Sequence, residues 1–509
     1  MMYYPDYAYD SDDPYDSDVD QEDARPRPKR PLDPDKIKQR LQEIDGEIWR
    51  VRYLKSSLPK PVDHVLDGVS NPSQPPIHKI SVEVVEKIFL TCLPWDLDCN
   101  PDQDLYQTAK GVNNTLDRRN APWTLTRVCR SWRHIALSSP RLWSCIVIHP
   151  DTVHSEIGIK ILLLFAHILL QRSAQTPLFI RFQASDYMNT MERPQFQGHW
   201  FALLDALMDH SERWRDVGFH LRTPFLKRLD GVKGHVPLLE KVFLRSSRDD
   251  NNPQGGLEAF SISPALYDFE TYGQETLPPK LQWHRLTRFG QTLNTPAQLE
   301  ALRAAQSLLH LRIRRPGRDD FPPSSMVTLR ALHTLEVVGN LEFFKYLTLR
   351  RLHTLHIRTH IVAHLQHAVS MIHRSSCNLT TLQLFVRGVP DSDIIQFFEA
   401  IPTVTSLGLL NEIGRSFTDN LWERFTYDPA APGRCLLPQL KSWCLRLPMD
   451  DHASDAVFLK MIETRSSPNS ASSVRIRIEV YAGNRDPPSY LSPLKDMEAT
   501  GFNISVHSY

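Results

Sequence analysis

The sequence predicts a mainly helical N-terminal unit followed by a long α/β solenoid, both behind an acidic leading segment. Three observations predict this organisation. Residues 1–24 hold nine acidic residues and no basic one. Apolar residues then recur at helical spacing from about residue 34 to about residue 137. From about residue 212 a short cadence, hydrophobic-x-x-hydrophobic-x-hydrophobic, returns along the rest of the chain.

The 509 residues exceed what one hydrophobic core supports, so several structural units are expected. Lys plus Arg and Asp plus Glu are both 59, which leaves no global field to steer the chain toward nucleic acid. No apolar leader opens the sequence, and the most apolar run, Ile157 to Leu170, is short and interrupted by Lys160. It is read as a buried helix, with no membrane segment expected. The seven cysteines form no C-x-x-C pair. Reduced thiols in the cytoplasm or nucleus follow, with Cys92 and Cys129 packed as small apolar residues.

Residues 1–33 cannot offset their own ordering entropy and are expected to be disordered. Ser11 and Ser17 precede acidic residues, as phosphorylation sites do, although a solvated acidic tail is the simpler reading. The basic ARPRPKRP (Ala24 to Pro31) reads as a linker, with a nuclear-import signal as the alternative. Over residues 34–60, Ile37, Leu41, Ile44, Ile48, Val51 and Leu58 form a short coiled-coil stripe weakened by Gly46. The stripe is read as packing on its own domain, with dimerisation as the alternative.

A second helix begins near Ile80. Val84, Val85, Ile88, Phe89 and Cys92 share one face, and Ser81 stands at the cap position. Residues 94–123 are polar and turn-rich and read as a surface loop. A third helix is expected over Thr124 to Leu137, with Leu125, Val128, Cys129, Trp132 and Ala136 on one face. After Pro140, RLWSCIVI (Arg141 to Ile148) ends in a strand-like run.

The cadence appears as RWRDVGF (Trp214, Val217, Phe219) and LEKVFL (Leu239, Val242, Leu244). Clearer copies are LLHLRI (308–313), LHTLEV (332–337), LHTLHI (352–357), LTTLQL (379–384) and VTSLGL (404–409). LKSWCL (440–445) and VRIRI (474–478) follow. Starts 20–27 residues apart match the leucine-rich-repeat period. Helical patches lie between copies, at Ile361 to Arg374 and Asp391 to Pro402. One strand and one helix per unit predict about eight stacked repeats. A two-layer α/β domain is the alternative. Arg312, Glu336, His356, Gln383 and Arg446 occupy outward strand positions and would line the strand face.

No phosphate-binding glycine loop and no nucleophile elbow occur. The run His353, His356, His360, His364, His367 and His373 lacks the Glu that a metalloprotease places after the first His of its pair. No catalytic residue, metal or cofactor is expected. A hydrolase hidden in the α/β part is the rival from another class.

ISVEVVEKIFLTCLP (Ile80 to Pro94) and LTRVCRSWRHIALSSPRLWSCIVI (Leu125 to Ile148) resemble the two halves of the F-box in the fungal F-box-like family. The segment LLQRSAQTPLFIRF (Leu169 to Phe182) also resembles a stretch that follows it there. Ile80 and Ser81 replace the usual opening Leu-Pro, and the segment between the halves is longer than usual. The resemblance implies an F-box-like unit at 75–148, with an internal loop at about 94–123, and a degenerate leucine-rich-repeat-like domain at 149–509. It implies a receptor of an SCF-type cullin–RING ubiquitin ligase that binds a Skp-type adaptor, and through it a cullin, while the repeats hold an unidentified protein substrate. Ile80, Val84, Ile88, Leu125, Val128 and Trp132 would meet the adaptor, with Leu142 and Trp143 closing the unit. For Val128 and Trp132 the alternative is that they only hold the helices together. A repeat protein that binds without directing degradation is the other reading.

Overall fold

The computed structural model describes residues 80–93 and 115–508, apart from 151–152, 154, 184–193, 247–256, 274–279, 316–324, 360–363, 387–388, 412–416, 429, 432–433, 448–453, 468–472 and 481–488. The acidic segment and the expected coiled-coil helix therefore lie outside the described residues, as do His360 and most of the loop at 94–123. Everything described belongs to one compact unit within Ile77–Tyr509.

Among the described residues fourteen parallel strands make the sheet: β1 Cys145–Ile148, β2 Leu178–Gln183, β3 Trp214–Leu221, β4 Lys241–Ser246, β5 Asp268–Tyr272, β6 Arg288–Thr292 and β7 His310–Arg315, then β8 Thr334–Gly339, β9 Thr354–Thr359, β10 Thr381–Val386, β11 Ser406–Asn411, β12 Ser442–Leu447, β13 Arg475–Val480 and β14 Ile504–Ser508. Their spatial order is their chain order. That order defines an α/β solenoid of leucine-rich-repeat-like form and sets aside the two-layer alternative. The repeats number well above the expected eight, and they begin at β1 rather than near residue 212.

The register explains the stack. One unbroken row runs Ile146, Ile180, Val217, Val242, Phe269, Phe289, Leu311, Leu335, Leu355, Leu382, Leu407, Trp443, Ile476 and Ile504 across all fourteen strands. A second row, two residues on, includes Ile148, Phe182, Phe219, Leu244, Ile313, Val337, Ile357, Leu384, Leu409, Leu445 and Ile478. Both rows are buried among the helices in one continuous core. A lone strand–helix unit cannot bury such a face, so each repeat depends on its neighbours.

Helices fill the other layer: α1 Val82–Thr91 and α2 Arg130–Ser138 before the sheet, then α3 Glu156–Arg172, α4 Pro194–Met208, α5 Thr223–Arg228, α6 Pro296–Ala301, α7 His364–Ser375, α8 Asp391–Glu399, α9 Asp419–Phe425, α10 Asp455–Ser466 and α11 Leu491–Ala499. Repeat length selects what fills that layer. Only 20 residues separate Thr334 from Thr354, and there a 3₁₀ turn (Glu342–Tyr346) and the two-residue strand Leu347–Thr348 replace a helix. The next interval, 27 residues to Thr381, accommodates α7. The apolar run at 157–170 is helical but only half buried: Ile159, Leu162, Ala166 and Leu169 face the core, whereas Ile157, Ile161 and Leu164 are exposed.

The expected helix over Thr124 to Leu137 is interrupted. Leu125–Arg127 forms a 3₁₀ turn, Cys129 is extended, and α2 starts at Arg130. Cys129 caps α2, its Sγ accepting the Trp132 N–H at 3.4 Å. Neither Cys129 nor Cys92 is packed as expected. Both are exposed, with the Cys92 thiol donating to the Ile88 carbonyl at 3.3 Å. Cys145 is buried instead, and burial pushes its thiol up to about 12.

Candidate docking surfaces

The helical unit divides its apolar residues between its own core and the solvent. On α1, Val85 and Phe89 turn inward, while the adjacent half of the same stripe is bare: Ile80, Val84 and Ile88 are 38%, 45% and 40% exposed. Val128, in the turn before α2, is 60% exposed, so this side chain does not hold the helices together. Trp132 does: its ring lies 4.8 Å from that of Phe89. Leu125, Leu142 and Trp143 are buried. The eight residues singled out from sequence thus separate into four aliphatic side chains that reach solvent and four residues that form the support beneath them. Aliphatic side chains left exposed on α1, and on the turn before the α2 helix that α1 packs against, offer a protein-binding surface.

That support is joined to the first repeat. Trp143 donates its indole N–H to the Ala136 carbonyl at 2.7 Å, and Trp123 donates to the Thr115 carbonyl at 2.8 Å. The two rings meet edge to face at 5.2 Å. Arg172, at the end of α3, sets its guanidinium 4.3 Å from the Trp143 ring and 5.3 Å from the Trp123 ring. Sequence reasoning matched the stretch containing Arg172 but did not see this contact, because its partners lie 29 and 49 residues earlier. Thr115 also closes the free edge of β1. Its N–H donates to the Val147 carbonyl at 3.1 Å, and its Oγ accepts the Val147 N–H at 2.8 Å.

The second surface is the sheet face opposite the helices. Arg312, Glu336, His356 and Gln383 lie side by side on consecutive strands β7–β10, in one row as the cadence implied. Arg446 stands two residues further along, between Leu410 and Glu479. Arg312 bridges Glu336 at 2.8 Å and Glu270 at 3.3 Å. Burial works against its charge, but Glu270 and then Glu336 outweigh it and hold the group above its ordinary value. Tyr272 donates to Glu270 at 3.1 Å, and burial raises its phenol. Gly290 makes room for this network, since a Cβ there would lie 2.7 Å from Tyr272 Oη. The result is a fixed lattice of charge along an extended surface.

His353 and His356 sit at β9, and His353 stacks on His333 at 5.4 Å. Among the described residues no His, Cys, Asp and Glu group gathers three potential metal ligands. No described helix is long and apolar enough to cross a membrane. The chain matches no protein-family model and no curated protein. Its fold and surfaces define an α/β repeat solenoid, a scaffold suited to holding other proteins.

Proposed function

We propose that the chain is a non-catalytic scaffold that holds two proteins, one on the bare aliphatic side chains of the helical unit and one on the open face of the sheet. The exposure of Ile80, Val84, Ile88 and Val128 above a packed support carries this reading. Leaving such side chains in water costs roughly 25 cal/mol per Å² of apolar surface, which a partner's apolar face would recover. The finer reading joins this surface to the F-box-like sequence: the partner on the helical unit is a Skp-type adaptor, linked to a cullin. The chain is then the substrate receptor of an SCF-type ubiquitin ligase in the cytoplasm or nucleus. The repeats hold the substrate near the ubiquitin-charged enzyme and raise its effective concentration there. A scaffold that binds without directing degradation shares the same surfaces.

Co-purification with a Skp-type adaptor tests the finer reading. Ile88→Asp and Val128→Asp are expected to abolish a stoichiometric complex while leaving the melting temperature unchanged, because both side chains already face water. Trp132→Ala is expected to lower the melting temperature, because it removes the packing on Phe89. Absence of a complex from folded wild-type protein would overturn the adaptor reading and leave the scaffold.

A further inference from the structure

Residues 118–150 hold no acidic residue, in a chain with equal numbers of acidic and basic ones. Apart from histidine their basic residues are all arginines: Arg118, Arg119, Arg127, Arg130, Arg133 and Arg141. All six are exposed. Arg119 pairs with Asp117 at 2.7 Å, and Arg118 sets its guanidinium 6.0 Å from the centre of the Phe165 ring. Glu83 and Glu86 lie on α1, and among the described residues no carboxylate pairs with Arg127, Arg130, Arg133 or Arg141. These four gather on and around α2. Arg130, Arg133, His134 and Leu137 fall at i, i+3, i+4 and i+7, on the face opposite the buried Ile135 and Ala136. Arg127 ends the turn before α2, and Arg141 lies in the turn Pro140–Trp143 that follows it. Left alone, this arrangement is unfavourable. Arg130 opens α2 and Arg133 stands one turn in, at the positive end of the helix dipole, with no acidic residue in the first turn. Burial, and then the like charge of Arg133, also lower the pKa of Arg172 from the ordinary arginine value.

We propose that the protein held by the helical unit is acidic, its carboxylates closing on the arginine face of α2 while its apolar residues cover Val128, Leu137 and the bare side chains of α1. Charge complementarity selects this occupant. Like charges on one helix face repel each other, and carboxylates brought to them relieve both that repulsion and the opposition of the dipole. Arginine in place of lysine adds a planar fork that takes a carboxylate in bidentate fashion. The exposed aliphatic residues lie beside the charges, since Val128 follows Arg127 and Leu137 is one turn beyond Arg133 and His134. A partner that brought charge alone would leave them in water. Nucleic acid fits less well, because bases stack on exposed aromatic rings. Among the described residues of the unit the rings pack inward: Phe89, Trp123 and Trp143 are buried, and Trp132 lies on Phe89. An anionic membrane fits less well for the same reason, since an interfacial helix turns its large apolar residues outward.

This inference rests on the reading of the helical unit as a protein-binding surface and names the chemistry of what it binds. The test uses the full chain and a labelled amphipathic helical peptide with Leu on one face and Glu beside it, read by fluorescence anisotropy. Its Gln and Lys counterparts, a labelled oligo-dT and vesicles containing phosphatidylserine are measured beside it. The Glu peptide is expected to bind about tenfold or more tightly than the Gln peptide and to weaken as salt rises. The double variant Arg130→Gln, Arg133→Gln is expected to lose about tenfold in affinity while melting no lower than wild type, because it removes like charges from one helix face. The variant Arg130→Glu, Arg133→Glu is expected to prefer the Lys peptide. Equal binding of Glu and Gln peptides, a double Gln variant that binds as wild type does, or tighter binding of oligo-dT or vesicles would each overturn the proposal. Adaptor co-purification with the same variants separates the two claims. Arginine-dependent binding of the Glu peptide without an adaptor complex upholds the acidic partner and removes the adaptor reading. An adaptor complex beside a Glu peptide that binds no better than its Gln counterpart removes the role given to the arginines.

Discussion

Arg465, near the end of α10, buries its guanidinium against backbone carbonyls. Its Nε donates to the Phe425 carbonyl at 2.7 Å, and its other nitrogens reach those of Leu436 and Leu437. Arg374, an exposed residue of α7, makes the same kind of contact, donating to the carbonyls of Phe344 and Leu347 at 2.6 and 2.7 Å. In each case the end of one repeat's outer element is tied to the preceding repeat by a charged donor on backbone carbonyls. Burial lowers both guanidinium pKa values from the ordinary arginine value, a cost the carbonyls oppose. Asp268 shows the opposite balance. Burial and then Glu270 push its carboxyl up to about 6, with Arg288 pulling the other way. A folded-state value above the unfolded one means that the folded protein binds the proton more tightly. Stability from this group is therefore greatest below the ordinary carboxylate value of about 4 and is lost as pH rises through about 6. Relative to wild type, Asp268→Asn is expected to gain about 1–3 kcal/mol between pH 4 and pH 7. Thermal melts of both proteins at the two pH values check this, and a constant difference between them would refute it.

At the scale of elements, the β1 edge is the informative case. Thr115→Val keeps the shape but removes the acceptor for the Val147 N–H, and is expected to cost about 1–2 kcal/mol. It also frees part of a strand edge, so light scattering should show association that rises with concentration. A variant as stable and as monomeric as wild type would show that the edge is closed by other means. The sequence made some elements plain and hid others for physical reasons. Strands β7–β11 announce themselves because both inward positions hold a branched aliphatic residue, as in Leu355 and Ile357. Strands β5 and β6 went unread because Thr271 and Gln291 occupy the second inward position, and both are buried polar residues. Helix α1 was located correctly. Its apolar stripe is wide enough that Val84 and Val85 look alike in sequence, and only packing against Trp132 and the core decides that Val85 turns in and Val84 out. The break at Cys129 went unforeseen, because a cysteine thiol is an uncommon helix cap and its apolar neighbours fit a continuous helix equally well.

Across the whole molecule, stability is shared between neighbours rather than held at one centre. Leu355 lies in the middle of the inward row, with Leu335 on one side and Leu382 on the other. Leu355→Asp places a carboxylate in that core and is expected to uncouple the two flanks. Chemical denaturation should then resolve two transitions, one for the repeats before β9 and one for those after it. A single transition at a lower midpoint would mean that the stack unfolds as one block. The agreement of strand order with chain order also bears on how the protein is made. As the polypeptide leaves the ribosome, each new strand finds its only upstream neighbour already in place, and no segment must wait for residues not yet translated. The helical unit and β1 come first, so the surface that bears Ile88 and Val128 can be complete while the distal coils are still being synthesised. On the proposed reading, a partner of the helical unit is then open to a chain that has not yet acquired the sheet face proposed to hold the second protein.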